Sequence, residues 1–295
     1  MKNLITIGTF DGIHLGHQQL FNYLEARAVV YRQKPLTLFF GLPPKTLLST
    51  HPQQSVLSLP EEKKKLFKQL GVRAEMLDFM RVRSLSPRQF FNRLLNLFDC
   101  GGLIVGADFA FGKNREGSVV FLREACFEKN IPFEVFPFYK QGHEKISSSL
   151  IRKILAQGDI PRVSALLGRP YEVTGKVVPG QKLGRKLGYP TANLDCGVYK
   201  ILPLGVFAVK VRVGTKMYNG FCNIGFRPTI NTLPPGLPLV EVHIFDFNKS
   251  IYGRNITVWF YEKLRDETKF NDLDALKKQL AKDRLSAQQV FTALP

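Results

Sequence analysis

The sequence predicts two folds in series: an α/β domain built on a parallel sheet, then an antiparallel β-barrel with a terminal helix. Three observations carry that expectation. In the first half, short apolar runs alternate with helical patterns, the signature of a doubly wound parallel sheet. In the second half, five strand-like runs follow one another through turns with no helix between them, as in a small barrel. The chain ends on one long amphipathic stretch. Its 295 residues also exceed the usual size of a single domain, which favours two.

Taken in order, "NLITIGT", "PLTLFFG", "RAEMLDF", "GGLIVGA" and "IPFEVFP" read as the strands of the first domain. Between them the helices carry their own punctuation. "LPEEKKKLFKQLG" opens on Pro60 with two glutamates and closes at Gly71; "SPRQFFNRLLNLF" has Ser86 as N-cap and Pro87 at the first helical position. "ISSSLIRKILAQGD" sets three serines before an apolar-periodic run that ends at Gly158, and "PRVSALLG" finishes the domain at Gly168. The boundary therefore falls at residue 168, with residues 1–168 and 169–295 as the two domains. The second domain offers "YEVTGKVV", "GVFAVKVRV", "KMYNGFCNIG", "VEVHIFDF" and "NITVWFYEKL" as strands, joined by turns such as "VGTK" and "FNKSIYG". "DLDALKKQLAKDRLSAQQVFTAL" reads as the helix packed on them.

Composition narrows the functional classes. A hydrophobic content of 44% is that of a globular protein, and no apolar stretch is long enough to span a bilayer. The N-terminus lacks the pattern of a signal peptide, so a cytoplasmic location is expected. Cys100, Cys126, Cys196 and Cys222 are scattered without C-x-x-C spacing, which argues against a disulfide framework and a zinc site. The net charge of +18 suits a polyanionic substrate as well as nucleic acid. The excess of Lys and Arg divides evenly on either side of Gly168, with no basic tail, RNP-like aromatic motif or helix-turn-helix signal. No nucleic-acid partner is therefore expected, and no membrane partner; the oligomeric state is not legible.

The stretch "ITIGTFDGIHLGHQQLF" leaves a strand at Gly8 and enters a helix near Leu15. A loop in that position presents backbone N–H groups and the positive end of the helix dipole, so phosphate is its natural guest. His14 and His17 stand three apart around the helix start and would face one side, able to donate hydrogen bonds to a phosphoryl oxygen. Gly12 and Gly16 let the backbone approach closely. A capping and a packed histidine would explain the pair as well. Ser147, Ser148 and Ser149 with Arg152 one turn in form a second helix start that would suit the far wall of a triphosphate site. "VGADFAFGKN" is not a P-loop: its glycine spacing is one residue too long, and Asn114 stands where a Ser or Thr would bind magnesium. It reads instead as a loop in which Asp108 and the glycines shape a pocket. The four residues His14 to His17 also match the signature of class I aminoacyl-tRNA synthetases, but no K-M-S-K-S element follows, which favours a small nucleotidyltransferase.

In the second half, "GQKLGRKLGYPTAN" sets Gly180, Gly184 and Gly188 four apart with Lys182, Arg185 and Lys186 between them, a flexible basic loop suited to a polyphosphate. Thr191 and Asn193 supply neutral hard oxygens on one face of an extended segment, as magnesium held mainly by phosphates and water needs. On "VEVHIFDF", Glu241 and His243 share one face, and a carboxylate there can take a proton from a hydroxyl. The wet face of a half-exposed strand is the plainer alternative.

With "GTFDGIHLGH", "VGADFAFGKN", "ISSSLIR", "LLGRPY", "GRKLGYPTAN", "NIGFRPT", "VEVHIFDF", "IYG" and "LRDE" in this order, the chain resembles the bacterial bifunctional riboflavin kinase/FMN adenylyltransferases, also called prokaryotic FAD synthetases. The resemblance implies a Rossmann-like nucleotidyltransferase domain that transfers AMP from ATP to FMN, giving FAD, and a barrel that phosphorylates riboflavin with ATP to FMN. It implies adenylyl-transfer roles for His14, His17, Ser148 and Arg152, and ATP contacts at Gly8, Phe10, Gly16, Ser147, Ser149, Gly180, Lys182, Gly184 and Arg185. Thr191 and Asn193 would bind Mg2+, Glu241 would be the kinase base, and Asp108 and Arg265 would meet flavin. The chain departs from the family at "FFGLPPK", where the family commonly carries an acidic residue and a histidine between prolines. Two alternatives remain: a monofunctional riboflavin kinase with an impaired adenylyltransferase domain, and a nucleotidyltransferase with another acceptor.

Overall fold

A computed structural model describes residues 1–49, 54–142, 144–226 and 237–293. It divides into two compact units, one running to Ser148 and the other from Ser149 onward, with Ser55 joining the second, its amide N–H donating to the Tyr199 carbonyl at 2.9 Å. The "RPT" end of the "NIGFRPT" motif lies outside the described residues.

The first unit runs β1 (Asn3–Gly8), α1 (Leu15–Val30), β2 (Lys34–Phe40), the single turn α2 (Pro44–Leu47), α3 (Pro60–Gln69), β3 (Ala74–Leu77), the short α4 (Phe79–Val82), α5 (Pro87–Leu97), β4 (Cys100–Gly106), α6 (Val119–Glu128) and β5 (Phe133–Phe136). A small hairpin, β6 (Lys140–Gln141) and β7 (Glu144–Lys145), follows. The five expected strands form the parallel sheet the sequence implied, through four pairings in the order β3-β2-β1-β4-β5. Strand β1 is buried on both faces, so its residues alternate between two cores. Leu4 packs with Leu20, Phe21 and Leu24 of α1 and Phe67 of α3, while Ile5 and Ile7 pack with Phe91 and Leu94 of α5 and Leu122 of α6. The helix punctuation is as expected. Ser86 caps α5 in a reciprocal capping box with Gln89, and Gly71, with φ of 70°, ends α3 in the left-handed region.

The second unit starts with α7 (Ser148–Gln157) and α8 (Ile160–Leu167), which Gly168 closes in the left-handed conformation. The barrel comprises β8 (Tyr171–Val178), a four-residue turn α9 (Leu183–Lys186), β9 (Thr191–Asp195), β10 (Gly205–Val213), β11 (Lys216–Gly225), β12 (Leu239–Ile244) and β13 (Asn255–Arg265), and α10 (Leu273–Ala293) follows. It closes in the order β10-β11-β12-β9-β8-β13. The sequence supplied five of these strands; the sixth, β9, is the "TANLD" segment that read only as extended. Helix α10 packs Leu280, Ala287 and Val290 against Val206, Ala208 and Phe221 of the barrel wall. The four cysteines are free and buried, and burial pushes the Cys100 thiol up to about 11 and Cys126 to about 12, so these two are unreactive at neutral pH.

Candidate functional sites

In the first unit the chain turns outward from β1 and returns to pair β4 on the other side, so the crevice beyond the carboxyl ends of β1 and β4 is the switch point where such sheets bind ligands. The loop there is strained. Phe10 and Ile13 hold φ of 47° and 42° beside Gly12 at 83°, conformations that non-glycine residues adopt only when their surroundings impose them. Three anchors impose them here. The buried Asp11 carboxylate accepts from the amides of Leu57 and Ser58 at 2.9 and 3.0 Å. The Phe10 ring is packed edge-on against Phe21 and His17. Lys63, fully buried, donates to the carbonyls of Thr9, Phe40 and Gly41 at 2.7, 3.0 and 2.9 Å, tying the loop after β1 to the one after β2. A Cβ on Gly8 would meet the Phe10 ring at 2.8 Å, so only glycine fits beneath it.

His14 is the N-cap residue of α1 without a side-chain capping bond, and its ring stacks on that of His17 with centroids 3.6 Å apart. The two imidazoles therefore share one side of the helix start, as their spacing implied. Gly16 leaves room for the His14 ring, which a Cβ there would approach to 3.2 Å. Ser148, remote in sequence, donates its hydroxyl to the Asp11 carbonyl at 2.8 Å and so joins the same loop. Ser147 is partly buried, Ser149 is exposed, and Arg152 stands one turn into α7, within the second unit. Asp108 is exposed after β4 and pairs with Lys145 at 3.3 Å. Lys113 to Arg115 form a short 3-10 turn with positive φ at Asn114 and Arg115, and α6 begins only at Val119, so the geometry is not a P-loop.

In the barrel, a cavity of about 230 Å³ opens between the loop before β9, the strand pair β11 and β12, and α10. Lys182, Thr191 and Glu241 line it, with Gly184 and Arg265. The ladder explains why they meet: Glu241 faces Asn193 on one neighbouring strand and Asn223 on the other, and His243 faces Thr191. Gly180 closes tightly over Asn193, since a Cβ there would fall 2.1 Å from its amide nitrogen, and Gly184 sits 3.5 Å by the same measure from the Thr191 hydroxyl. Lys182 takes the left-handed conformation that starts α9, whereas Arg185 is exposed and does not line the cavity. The half-exposed reading of "VEVHIFDF" fails at His243, which is buried with its Nδ1 2.9 Å from the Pro190 carbonyl, while Glu241 stays partly exposed. Arg265 reaches the cavity but gives its guanidinium to the buried Asp283 of α10, with both bonds at 2.8 Å.

Several site residues were not legible. Asn223, Asp283 and the apolar wall of Leu276, Leu280 and Phe270 enter the cavity only through barrel closure and helix docking. Lys63 read as one charge in "EEKKK". The i, i+4 spacing of Leu276 and Leu280 was the one available signal, and it marked a packed face without saying what it covers.

Magnesium suits the barrel site by the chemistry of its donors. The Thr191 hydroxyl and Asn193 amide carry neutral hard oxygens and the Glu241 carboxylate lies across the ladder from Asn193, a donor set too small for a protein cage and suited to an ion carried largely by phosphate and water.

Comparisons with known proteins agree with this geometry. The FAD synthetase family matches residues 1–150 and the riboflavin kinase family matches residues 167–291. The bifunctional riboflavin kinase/FMN adenylyltransferase of Bacillus subtilis is 36% identical over 99% of this chain and 94% of its own length. Those of Haemophilus influenzae and Escherichia coli K12 are 35% and 34% identical over 98% of the chain, at 94% and 92% of their own lengths. A crystal structure described as a macrolide-efflux protein from Streptococcus pneumoniae superposes with a TM-score of 0.84 at 30% identity, covering 97% of this chain and 94% of that one. No helix among the described residues is long and apolar enough to cross a membrane. With both family matches and full-length relatives in the same order along one chain, the protein belongs to the bifunctional riboflavin kinase/FMN adenylyltransferase family.

Proposed function

We propose that this chain makes FAD from riboflavin in two steps, each using one ATP. Residues 169–295 form the kinase and residues 1–168 the adenylyltransferase, with a cytoplasmic location and small molecules as the partners. The observation that carries the reading is the barrel cavity, on which a carboxylate, a threonine hydroxyl and a lysine open together.

In the kinase step Glu241 takes the proton from the terminal ribityl hydroxyl, whose oxygen forms a bond to the γ-phosphorus as ADP leaves. Lys182 and the glycine-flanked backbone around it receive the phosphates, and the apolar wall from α10 excludes water. Thr191 and Asn193 hold Mg2+, which when bound neutralises phosphate charge. In the second step a phosphate oxygen of FMN attacks the α-phosphorus of ATP and pyrophosphate leaves. His14 and His17 donate to the phosphoryl oxygens from the start of α1, where the first amides and the helix dipole add to their effect. Ser148 braces the loop. The strain in that loop is preorganisation, since its donors need no reorganisation when charge develops. The altered "FFGLPPK" loop keeps a structural part here: its Gly41 carbonyl is one of three that hold Lys63.

Incubating the protein with riboflavin, ATP and Mg2+, and separating flavins by chromatography over time, tests the reading. FMN followed by FAD is expected. FMN alone would favour the monofunctional alternative, and conversion of added FMN without use of riboflavin would overturn the barrel assignment.

A further inference from the structure

His243 is 4% exposed and enclosed by the rings of Tyr189, Phe221 and Phe245 at centroid distances of 5.4, 5.1 and 5.8 Å. Its Nδ1 lies 2.9 Å from the Pro190 carbonyl, while its Nε2 is buried and has no hydrogen-bond partner among the described residues. A carbonyl only accepts, so Nδ1 carries the proton. Burial pushes the imidazole pKa below its usual value, against the opposing effect of the Pro190 bond.

An aromatic slot in which one ring nitrogen stays unmet is a costly place for histidine, because a phenylalanine there would bury no unpaired nitrogen. What histidine adds is the bond to Pro190. That carbonyl stands at the root of β9, immediately before Thr191, and the next residue back, Tyr189, donates its amide to the Gly184 carbonyl at 2.8 Å. One side chain thus fixes the junction between the basic loop and the strand. The ladder sets the consequence: His243 lies opposite Thr191, and Glu241, two residues earlier on the same strand, lies opposite Asn193.

We propose that His243 is a positioning residue of the kinase site, holding Pro190 so that Thr191 and Asn193 keep their places against Glu241. This rests on the reading that Thr191 and Asn193 bind the metal. His243 touches no substrate in this arrangement; it acts through the strand.

The test uses the full chain and two near-isosteric variants. The amide nitrogen of Asn falls near Nδ1 and that of Gln near Nε2, so His243→Asn retains the donor to Pro190 and His243→Gln loses it. Losing one such bond should raise the Mg2+ concentration for half-maximal kinase rate by about tenfold, the factor equivalent to roughly 1.4 kcal/mol. Amide hydrogen exchange at residues 189–193 should accelerate in the Gln variant without any nucleotide present. His243→Asn should restore both, and FMN adenylylation, carried by the site at the start of α1, should be unchanged in each. If His243→Gln fails to fold, the Asn variant decides: wild-type Mg2+ dependence and exchange support the proposal, and loss of either overturns it. Wild-type Mg2+ dependence and exchange in a folded Gln variant also overturn it. Asn193→Ala separates the two readings. An unchanged Mg2+ dependence there would remove the metal assignment and the proposal with it, whereas a weakened one alongside an unaffected Gln variant refutes His243 alone.

Discussion

Replacing Arg265 by Met should destabilise the barrel unit selectively. The guanidinium makes two bonds of 2.8 Å to Asp283 and a third, of 3.0 Å, to the Asp266 carbonyl. Asp283 is 3% exposed, and without Arg265 its carboxylate would keep the single bond from the Gln279 amide among the described residues. Removing one partner of a buried ion pair costs about 3–5 kcal/mol. Arg265 is itself 21% exposed, so water can follow the deletion and the lower end of that range applies, about 3 kcal/mol. With a urea dependence of about 2 kcal/mol per molar, the midpoint should fall by about 1.5 M. The chain has a single tryptophan, Trp259 on β13, so its fluorescence follows the barrel unit alone. Because Asp283, Leu276 and Leu280 line one wall of the cavity, the same variant should raise the KM for riboflavin and leave conversion of FMN to FAD unaltered. Replacing both partners, Arg265→Met with Asp283→Leu, should recover most of the stability, since the buried charge goes as well. A midpoint shift below about 0.5 M in the single variant, the size expected of an exposed ion pair, would refute the reasoning.

Glu241→Gln should lower the rate of FMN formation by about 10²–10⁴, the usual worth of a general base, with FAD formation from supplied FMN intact; loss of both activities would contradict separate sites. His17→Ala should do the reverse, so that riboflavin and ATP yield FMN that accumulates, as chromatography of the flavins would reveal. A last expectation concerns pH. Burial pushes the Glu134 carboxyl up, but hydrogen bonds from Tyr23, Tyr31 and Arg27 outweigh it and hold its pKa below 4.5. The unfolded state binds more protons in that range, so this stabilisation is complete above pH 4.5 and is lost as pH falls through the depressed folded value. The hydrogen bond to Glu134 raises the Tyr23 hydroxyl above 10.0, so its part is present below pH 10.0 and is lost as pH rises through the raised value. Glu134→Gln should flatten the acid side of the stability profile of the first unit, measured by circular dichroism.

Local signals carried most of the fold and part of each site. Ser86 with Gln89, Pro60, Gly71 and Gly168 mark helix ends because capping depends on neighbours within a turn, and every one of them is found in that role. The five apolar runs of the first half were enough to predict a parallel sheet, since both its faces must be buried. His14 and His17 were placed side by side by helical spacing alone.

What the sequence determined by itself was therefore the two folds, their order, and the residue types at the start of α1, on β9 and on β12. The tertiary structure decided which distant groups meet. Barrel closure made "TANLD" a strand and set Asn193 and Asn223 on either side of Glu241; helix docking brought Asp283 to Arg265 and gave the cavity its apolar wall. Folding of the first unit turned one lysine of "EEKKK" into the buried anchor of two loops, and put the Ser148 hydroxyl on the Asp11 carbonyl. The reason is range: caps, turns and periodicity are fixed by residues within a few positions of each other. Strand register and helix docking are fixed by burial across the whole unit, and no short window of sequence contains that information.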